Sequence, residues 1–362
     1  MSFPPGRYFA ALLPRLAACA ALCAALCAPA RAYYYEPPPL PQPFSIFKFK
    51  VTHWQTTGSD YFRTSFYLPP ESWVPPDPDV QAGSTLDFQG LDSAIEVLSA
   101  EARLFRGFSV EAEYGSSSFS GGTAYDHDWL HAPWHILYFY TGPVWVDPIH
   151  RDFSLSRSRL AGSTELYSFN AYLRVYNSSR QRFMRDSDYE HNIDLYAGYS
   201  WYGDSIRISE GNQLQSVDVF GGGTQPLGPF SGLHSTYKLH WQGVRFGFRE
   251  QTKFTDALTM EGKLAYSPNM EYIGEGYWNL RSEFFNPSFR HTAKGTIMEF
   301  SASLEWKLTA SLLLNAGYRG TFYAANDGVD RTFFSDGTQS GIKLEKVRNS
   351  RTGWLLGLAL KY

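Results

Sequence analysis

Histidine and aspartate crowd one stretch of this chain: His127, His131 and His135, then Asp147, His150 and Asp152. Histidines four residues apart on a helix would put two nitrogens on one face, a spacing suited to a metal ligand set. Pro133 lies between them and breaks such a helix. With Trp129 and Trp134 alongside, the cluster reads better as a surface that meets a partner or a lipid headgroup, or as one with no specific role. His127 stands between Asp126 and Asp128, and in an extended segment it points to the face opposite theirs. The sequence has no Gly-x-Ser-x-Gly elbow, phosphate-cradling glycine loop or zincin motif. Gly221-Gly222-Gly223 reads as a flexible loop tip.

The elements that must carry these residues are strands. Phe108, Val110, Ala112 and Tyr114 alternate with Ser109, Glu111 and Glu113. The same period of two runs through Ile193–Trp201, Met298–Trp306 and Leu312–Arg319. One face of each strand is apolar and the other carries Glu, Arg, Ser and Gly. A soluble β-sandwich shows the same period, but its strands are shorter than those implied here. Aromatic residues make up 17% of the chain, yet mean hydropathy is only −0.31, too polar for a helical membrane protein. A lipid-facing barrel reconciles the two, since its apolar outer face is balanced by a polar lumen. The net charge of −3 and the lack of a basic run argue against a nucleic-acid partner.

Both ends agree. Arg7 and Arg15 precede an apolar run from Leu16 to Leu26, which closes on Ala30-Arg31-Ala32. This describes a secretory signal peptide, residues 1–32, cut after Ala32. Its apolar run is too short to span a bilayer as a helix, which takes about 20 residues. The competing reading is lipoprotein processing at Cys19, after Leu16-Ala17-Ala18. Cys19, Cys23 and Cys27 are the only cysteines, so a mature chain cut after Ala32 holds no thiol. Residues 33–43 form a proline-rich spacer, stiff through Pro37-Pro38-Pro39. At the other end Trp354, Leu356, Leu358, Leu360 and the terminal Tyr362 occupy every second position, like the last strand of bacterial outer-membrane barrels.

The expectation is an all-β, transmembrane, up-and-down antiparallel β-barrel of about ten strands over residues 44–362, the first within Phe44–Leu68. Short links near Arg103–Gly107, Gln251–Ala257 and Lys307–Ala310 would face the periplasm. Long links near Gly121–Gly162, Ser209–Leu233, Pro268–Arg290 and Ala324–Gly341 would face outside, at the cell surface. Glu111, Glu113, Arg174, Arg245, Arg249, Glu261, Lys263, Glu299, Glu305 and Arg319 would line a narrow lumen and pair with one another.

Several stretches also carry a resemblance. Ser84-Thr85-Leu86-Asp87-Phe88, Ala94-Ile95 and Gly107-Phe108-Ser109-Val110 lead to Gly121-Gly122-Thr123-Ala124-Tyr125-Asp126-His127-Asp128-Trp129. With Tyr237-Lys238, Ala265-Tyr266-Ser267, Glu271 and the closing strand, this resembles the omptin family of outer-membrane proteases over most of residues 44–362. The resemblance implies a ten-stranded barrel rising above the membrane with a proteolytic groove at its outer mouth. It also implies a water activated between two acidic pairs, one from an Asp-x-Asp-Trp segment and one from an Asp-x-His segment. Asp126 and Asp128 match the first pair. Two carboxylates so close cannot both ionise cheaply, so one can hold a proton.

No Asp-x-His occurs in Glu271–Ser282. His127, Glu275, Glu283 and His291 are the residues on offer as replacement partners. Two functions follow from the resemblance and the departure. One is an endopeptidase acting on surface-exposed peptides or proteins through Asp126 and Asp128. The other is a non-catalytic barrel with an adhesive, lipopolysaccharide-contacting or structural role. The expected partners are outer-membrane lipid and lipopolysaccharide, the latter as an activating lipid, with no metal or other cofactor.

Overall fold

The computed structural model describes residues 47–67, 81–105, 107–132, 149–178, 190–218 and 223–362. They all belong to one compact unit, Pro43–Ser179 with Tyr189–Tyr362. The second unit, Met1–Gln42 with Arg180–Asp188, lies outside the described residues, as do the signal peptide and the proline-rich spacer.

The strands are β1 (Phe47–Tyr67), β2 (Gln81–Gln89), β3 (Ser93–Phe105), β4 (Phe108–Phe119), β5 (Thr123–Ala132), β6 (Ile149–Asn177) and β7 (Glu190–Ser216), followed by β8 (Gly228–Phe230), β9 (Ser235–Lys253), β10 (Leu258–Tyr277), β11 (Phe284–Lys307), β12 (Leu312–Phe334) and β13 (Gln339–Lys361). Ten of them, β1-β3-β4-β6-β7-β9-β10-β11-β12-β13, close into an antiparallel ring through the pairing of β1 with β13. Further from the termini, β2 and β5 take the places of β3 and β4, so the wall there runs β1-β2-β5-β6. The breaks between β2 and β3 and between β4 and β5 are bridged by Leu91 N–H to the Gly58 carbonyl (3.0 Å) and Leu160 N–H to the Gly122 carbonyl (3.1 Å). The expected strand count and the position of the first strand both hold.

Near the termini the outer face is bare hydrocarbon. Trp354 is 71% exposed and Leu356, Leu358 and Leu360 are also exposed, while the intervening Gly357 and Ala359 are buried. Phe246, Phe248, Leu195, Phe169 and Leu304 are likewise exposed on β9, β7, β6 and β11. Each such side chain gains roughly 1.5–3 kcal/mol by leaving water. Hydrocarbon outside the barrel supplies that environment.

The lumen is filled in two layers. Toward the termini lie the charges, paired as the sequence implied. Lys263 meets Glu111 (2.9 Å), Arg249 meets Asp194 (2.8 Å) and Glu101 (3.0 Å), and Arg245 meets Glu299 (2.6 Å). Arg319 bridges Glu113 (2.7 Å) and Glu299 (3.1 Å), and Lys48 pairs with Glu305. Further along the same strands lies an apolar layer of Phe62, Phe88, Tyr237, Trp241, Tyr272, Phe289, Ile297 and Tyr323. A cavity of about 20 Å³ beside Trp54, Ser168, Ser200 and Arg319 has room for about one water.

All four expected long links differ: Gly121–Gly162 holds β5 and the first part of β6, and Ser209–Leu233 holds the end of β7 and all of β8. β10 and β11 run on until only residues 278–283 turn between them, and β12 and β13 until only residues 335–338 remain. Beyond the apolar belt the outer face is polar, so the alternation that marks a lipid-facing strand is gone. Pro268 and Asn269 sit in a register shift between Ser267 and Met270, which makes a strand irregularity look like a loop in sequence.

Lys263→Met strands the buried Glu111 without its cation. The expected loss is about 3–5 kcal/mol of stability, measured by denaturant unfolding of the refolded barrel. An unchanged midpoint would contradict the pairing.

Candidate site at the barrel mouth

β5 places Asp126 and Asp128 in register with Leu86 and Ser84 of β2, and with Ser156 and Ser154 of β6. Paired residues share a face, and the even-numbered positions of β2 (Ala82, Leu86 and Phe88) are buried inside the barrel. Both aspartates therefore face the lumen, half-buried, two residues apart on one strand. The Ser84 hydroxyl donates to Asp126 Oδ1 at 3.1 Å.

Trp129, the last member of the motif, faces the other way. Its indole lies against Gly83, where a Cβ would run into both the ring and the Thr64 carbonyl oxygen. The Arg63 guanidinium covers the ring at 4.1 Å and is itself held by Glu345 at 2.7 Å. An indole clamped from outside thus fixes the strand whose inner face carries the carboxyls.

Their electrostatics follow from the placement. Burial, and then the neighbouring Asp128 charge, push the Asp126 carboxyl up to about 8, against a hydrogen bond from Ser84 and the charge of Arg281. Burial also raises Asp128, opposed by hydrogen bonds from Ser84 and Ser154 and by Arg281 and His127. One proton is held between them into mildly alkaline solution.

His291 is the histidine turned into the lumen on the facing side. It sits on β11 opposite Gly274 of β10 and Asp330 of β12, with no solvent exposure. Its Nδ1 lies 3.0 Å from the Tyr237 hydroxyl and its Nε2 lies 3.6 Å from Asp330 Oδ2. The rings of Phe62 (4.5 Å) and Phe289 (4.7 Å) pack against it. A cavity of about 90 Å³ joins the two walls, lined by Thr64, Ser84 and Leu86 on one side and by Phe289, His291 and Asp330 on the other. Ser84 touches both the carboxyl pair and this cavity.

The other residues offered as partners are not brought in. Glu275 lies on the outer face and pairs with Arg290 at 2.6 Å. Glu283 lies in the β10–β11 turn, exposed, beside Arg281 at 3.4 Å. His127 faces away from the aspartates, with Nδ1 3.6 Å from Asp152 Oδ2. Among the described residues no three His, Cys, Asp or Glu side chains converge as metal ligands, and His135 and Asp147 lie outside those residues. Sequence reasoning missed Ser84 and Asp330. Neither has a local signal, because cross-strand register alone brings them to the site.

Among solved structures, the outer membrane protease OmpT from Escherichia coli superposes with a TM-score of 0.63 at 14% identity, covering 88% of this chain and 97% of that one. The chain has the fold of an outer-membrane β-barrel. A Pseudomonas aeruginosa FadL homologue (10% identity, 88% and 90% coverage) and the translocator domain of the autotransporter NalP from Neisseria meningitidis (11%, 89% and 91%) reach TM-scores of 0.28 and 0.32, too low to bear on the architecture. A family model described as Protochlamydia outer membrane protein matches residues 183–355. No curated protein matches the chain. The family model and the OmpT-like barrel together support an outer-membrane location.

The Asp126 shift has a consequence for stability. A carboxyl whose folded pKa of about 8 lies above its unfolded value near ~3.9 binds its proton more tightly in the folded state, so it costs stability as pH rises between those values. Asp126→Asn should raise the unfolding midpoint relative to wild type, by a gap that opens from about pH 4 to about pH 8 and then stays level. A gap independent of pH would contradict the placement.

Proposed function

We propose that this barrel is an endopeptidase of the omptin type, cutting exposed peptides at its mouth with a water held by Asp126 and Asp128. The observation that carries the reading is the pair itself: two lumen-facing carboxyls on one strand, joined to a cavity through Ser84. The ionised member orients the water as its oxygen bonds to the peptide carbonyl carbon. The protonated member then gives its proton to the amine that leaves when the C–N bond breaks. The proton lost by the water returns to the pair through a base at the same mouth.

A second reading rests on the outer wall. Arg207, Lys238, Lys294 and Arg348 are exposed there, beyond the apolar belt. Such a band of cations suits the phosphates of lipopolysaccharide, and a barrel that uses it for contact alone needs no cleavage.

The deciding experiment incubates the barrel, refolded with lipopolysaccharide, with a mixed peptide library. Cleavage is expected, reduced about 10²–10⁴-fold in Asp128→Asn, and falling above about pH 8 as Asp126 loses its proton. Absence of cleavage by either form from acid to alkaline pH would remove the hydrolytic reading and leave the contact role.

A further inference from the structure

The cavity at the mouth opens beside the carboxyl pair, because Leu86, which lines it, is the cross-strand partner of Asp126. Its apolar lining comes from four strands and one turn. Phe62 of β1 and Leu86 of β2 are buried at its base, and Phe289 of β11 closes one side. Trp278 and Phe284, half-buried at the two ends of the β10–β11 turn, form its rim. Packing holds these rings in place: Phe289 lies 6.2 Å from Phe62 and 5.2 Å from Trp278, centroid to centroid. Gly276, the cross-strand partner of Phe289, makes room for that ring, since a Cβ there would run into it.

Most polar groups of the lining are engaged within the wall. The Ser84 hydroxyl donates to Asp126 Oδ1 at 3.1 Å. Ser288 Oγ accepts from the Trp278 N–H (2.9 Å) and donates to the Phe285 carbonyl (3.1 Å). The Thr64 hydroxyl reaches the Ser84 carbonyl at 3.5 Å. His291 and Asp330 stand at one end, 3.6 Å apart. A cation entering past the rings would lose most of its hydration, which a single carboxylate at the far end does not replace. Size gives the same answer. An apolar cavity of ~150 Å³ holds a benzene ring, so the volume of about 90 Å³ here takes roughly four non-hydrogen atoms. That is a valine or leucine side chain, too little for an arginine.

We propose that this cavity is a specificity pocket for an aliphatic side chain next to the cleaved bond, with Phe62 and Leu86 setting its depth. The substrate class is then an exposed peptide with valine, leucine or isoleucine on one fixed side of the cut. The proposal rests on the hydrolytic reading for the cut, and on the cavity alone for the choice of side chain. In such a pocket one methylene changes kcat/KM by about tenfold or more.

Two arms test it on the refolded full-length barrel with lipopolysaccharide. In the first, the ends of library peptides cut by the wild type are read by mass spectrometry. Valine, leucine and isoleucine should be enriched about tenfold or more over lysine, arginine, aspartate and glutamate on one side. Phe62→Ala should shift that preference to phenylalanine and tyrosine, and Leu86→Phe should shift it to alanine. Resistance to SDS before heating identifies the variants that have folded, and either one suffices. In the second arm, fluorescein-labelled Gly-Gly-Xaa-Gly-Gly peptides are titrated into Asp128→Asn and followed by anisotropy. Leucine should bind more tightly than lysine or alanine, and adding Leu86→Phe should remove the difference. Cleavage beside lysine or arginine, or an aliphatic preference that neither pocket variant moves, would overturn the pocket and keep hydrolysis. Leucine-selective binding without any cleavage would keep the pocket and discard hydrolysis. Neither cleavage nor selective binding would overturn both.

Discussion

A barrel of ten strands in hydrocarbon encloses a space that its own side chains must fill, and every charge placed there needs a partner inside. The cost of an unpaired charge in such a site is several kcal/mol. Arg249 therefore reaches both Asp194 and Glu101, Lys263 reaches Glu111, and Arg319 spans Glu113 and Glu299. The Arg249–Glu101, Lys263–Glu111 and Arg319–Glu113 contacts join strands that are not neighbours, so they tie separate parts of the wall together, while Arg249–Asp194 and Arg319–Glu299 link adjacent strands. The remainder of the architecture follows. A lumen filled in this way leaves chemistry to the region where the wall rises beyond the belt.

That upper region obeys a different rule. Its outer face is polar, so its inner face is free to become a core of rings. Phe62, Phe88, Tyr237 and Phe289 form the floor of the mouth, and the half-buried carboxyls of β5 stand beside it. The same desolvation that raises the Asp126 carboxyl excludes bulk water from His291. Trp129 and Gly83 hold the strand from outside while Ser84 connects the carboxyls to the cavity inside. Strand positions, rather than loops, carry every group in the candidate site.

The barrel was legible because lipid imposes a period of two on the outer face. Phe108 to Tyr114 and Trp354 to Tyr362 could be assigned an orientation from sequence alone, and the inward set of Glu and Arg followed from parity. Legibility fails where that pressure ends. In residues 268–290 and 324–341 the outer face no longer needs hydrocarbon, and bulges such as that at Pro268 break the parity, so strands read as loops. Asp126 and Asp128 were legible only through the resemblance of their Asp-x-Asp-Trp segment to that of the omptin family. Asp330 was not, since its partner His291 is set by the register of β11 against β12, which no local pattern encodes. The role of Trp129 was also hidden, because an outward ring in a motif looks the same as an inward one.

The account depends most on the lumen being closed by its own side chains. Single-channel recording of the refolded barrel in a planar lipid bilayer tests that directly. The expected result is a silent membrane under moderate voltage, with no steady open level. A stable, ohmic conductance from the wild-type barrel would show that the paired charges and the ring layer leave a path, and would contradict the account at its base.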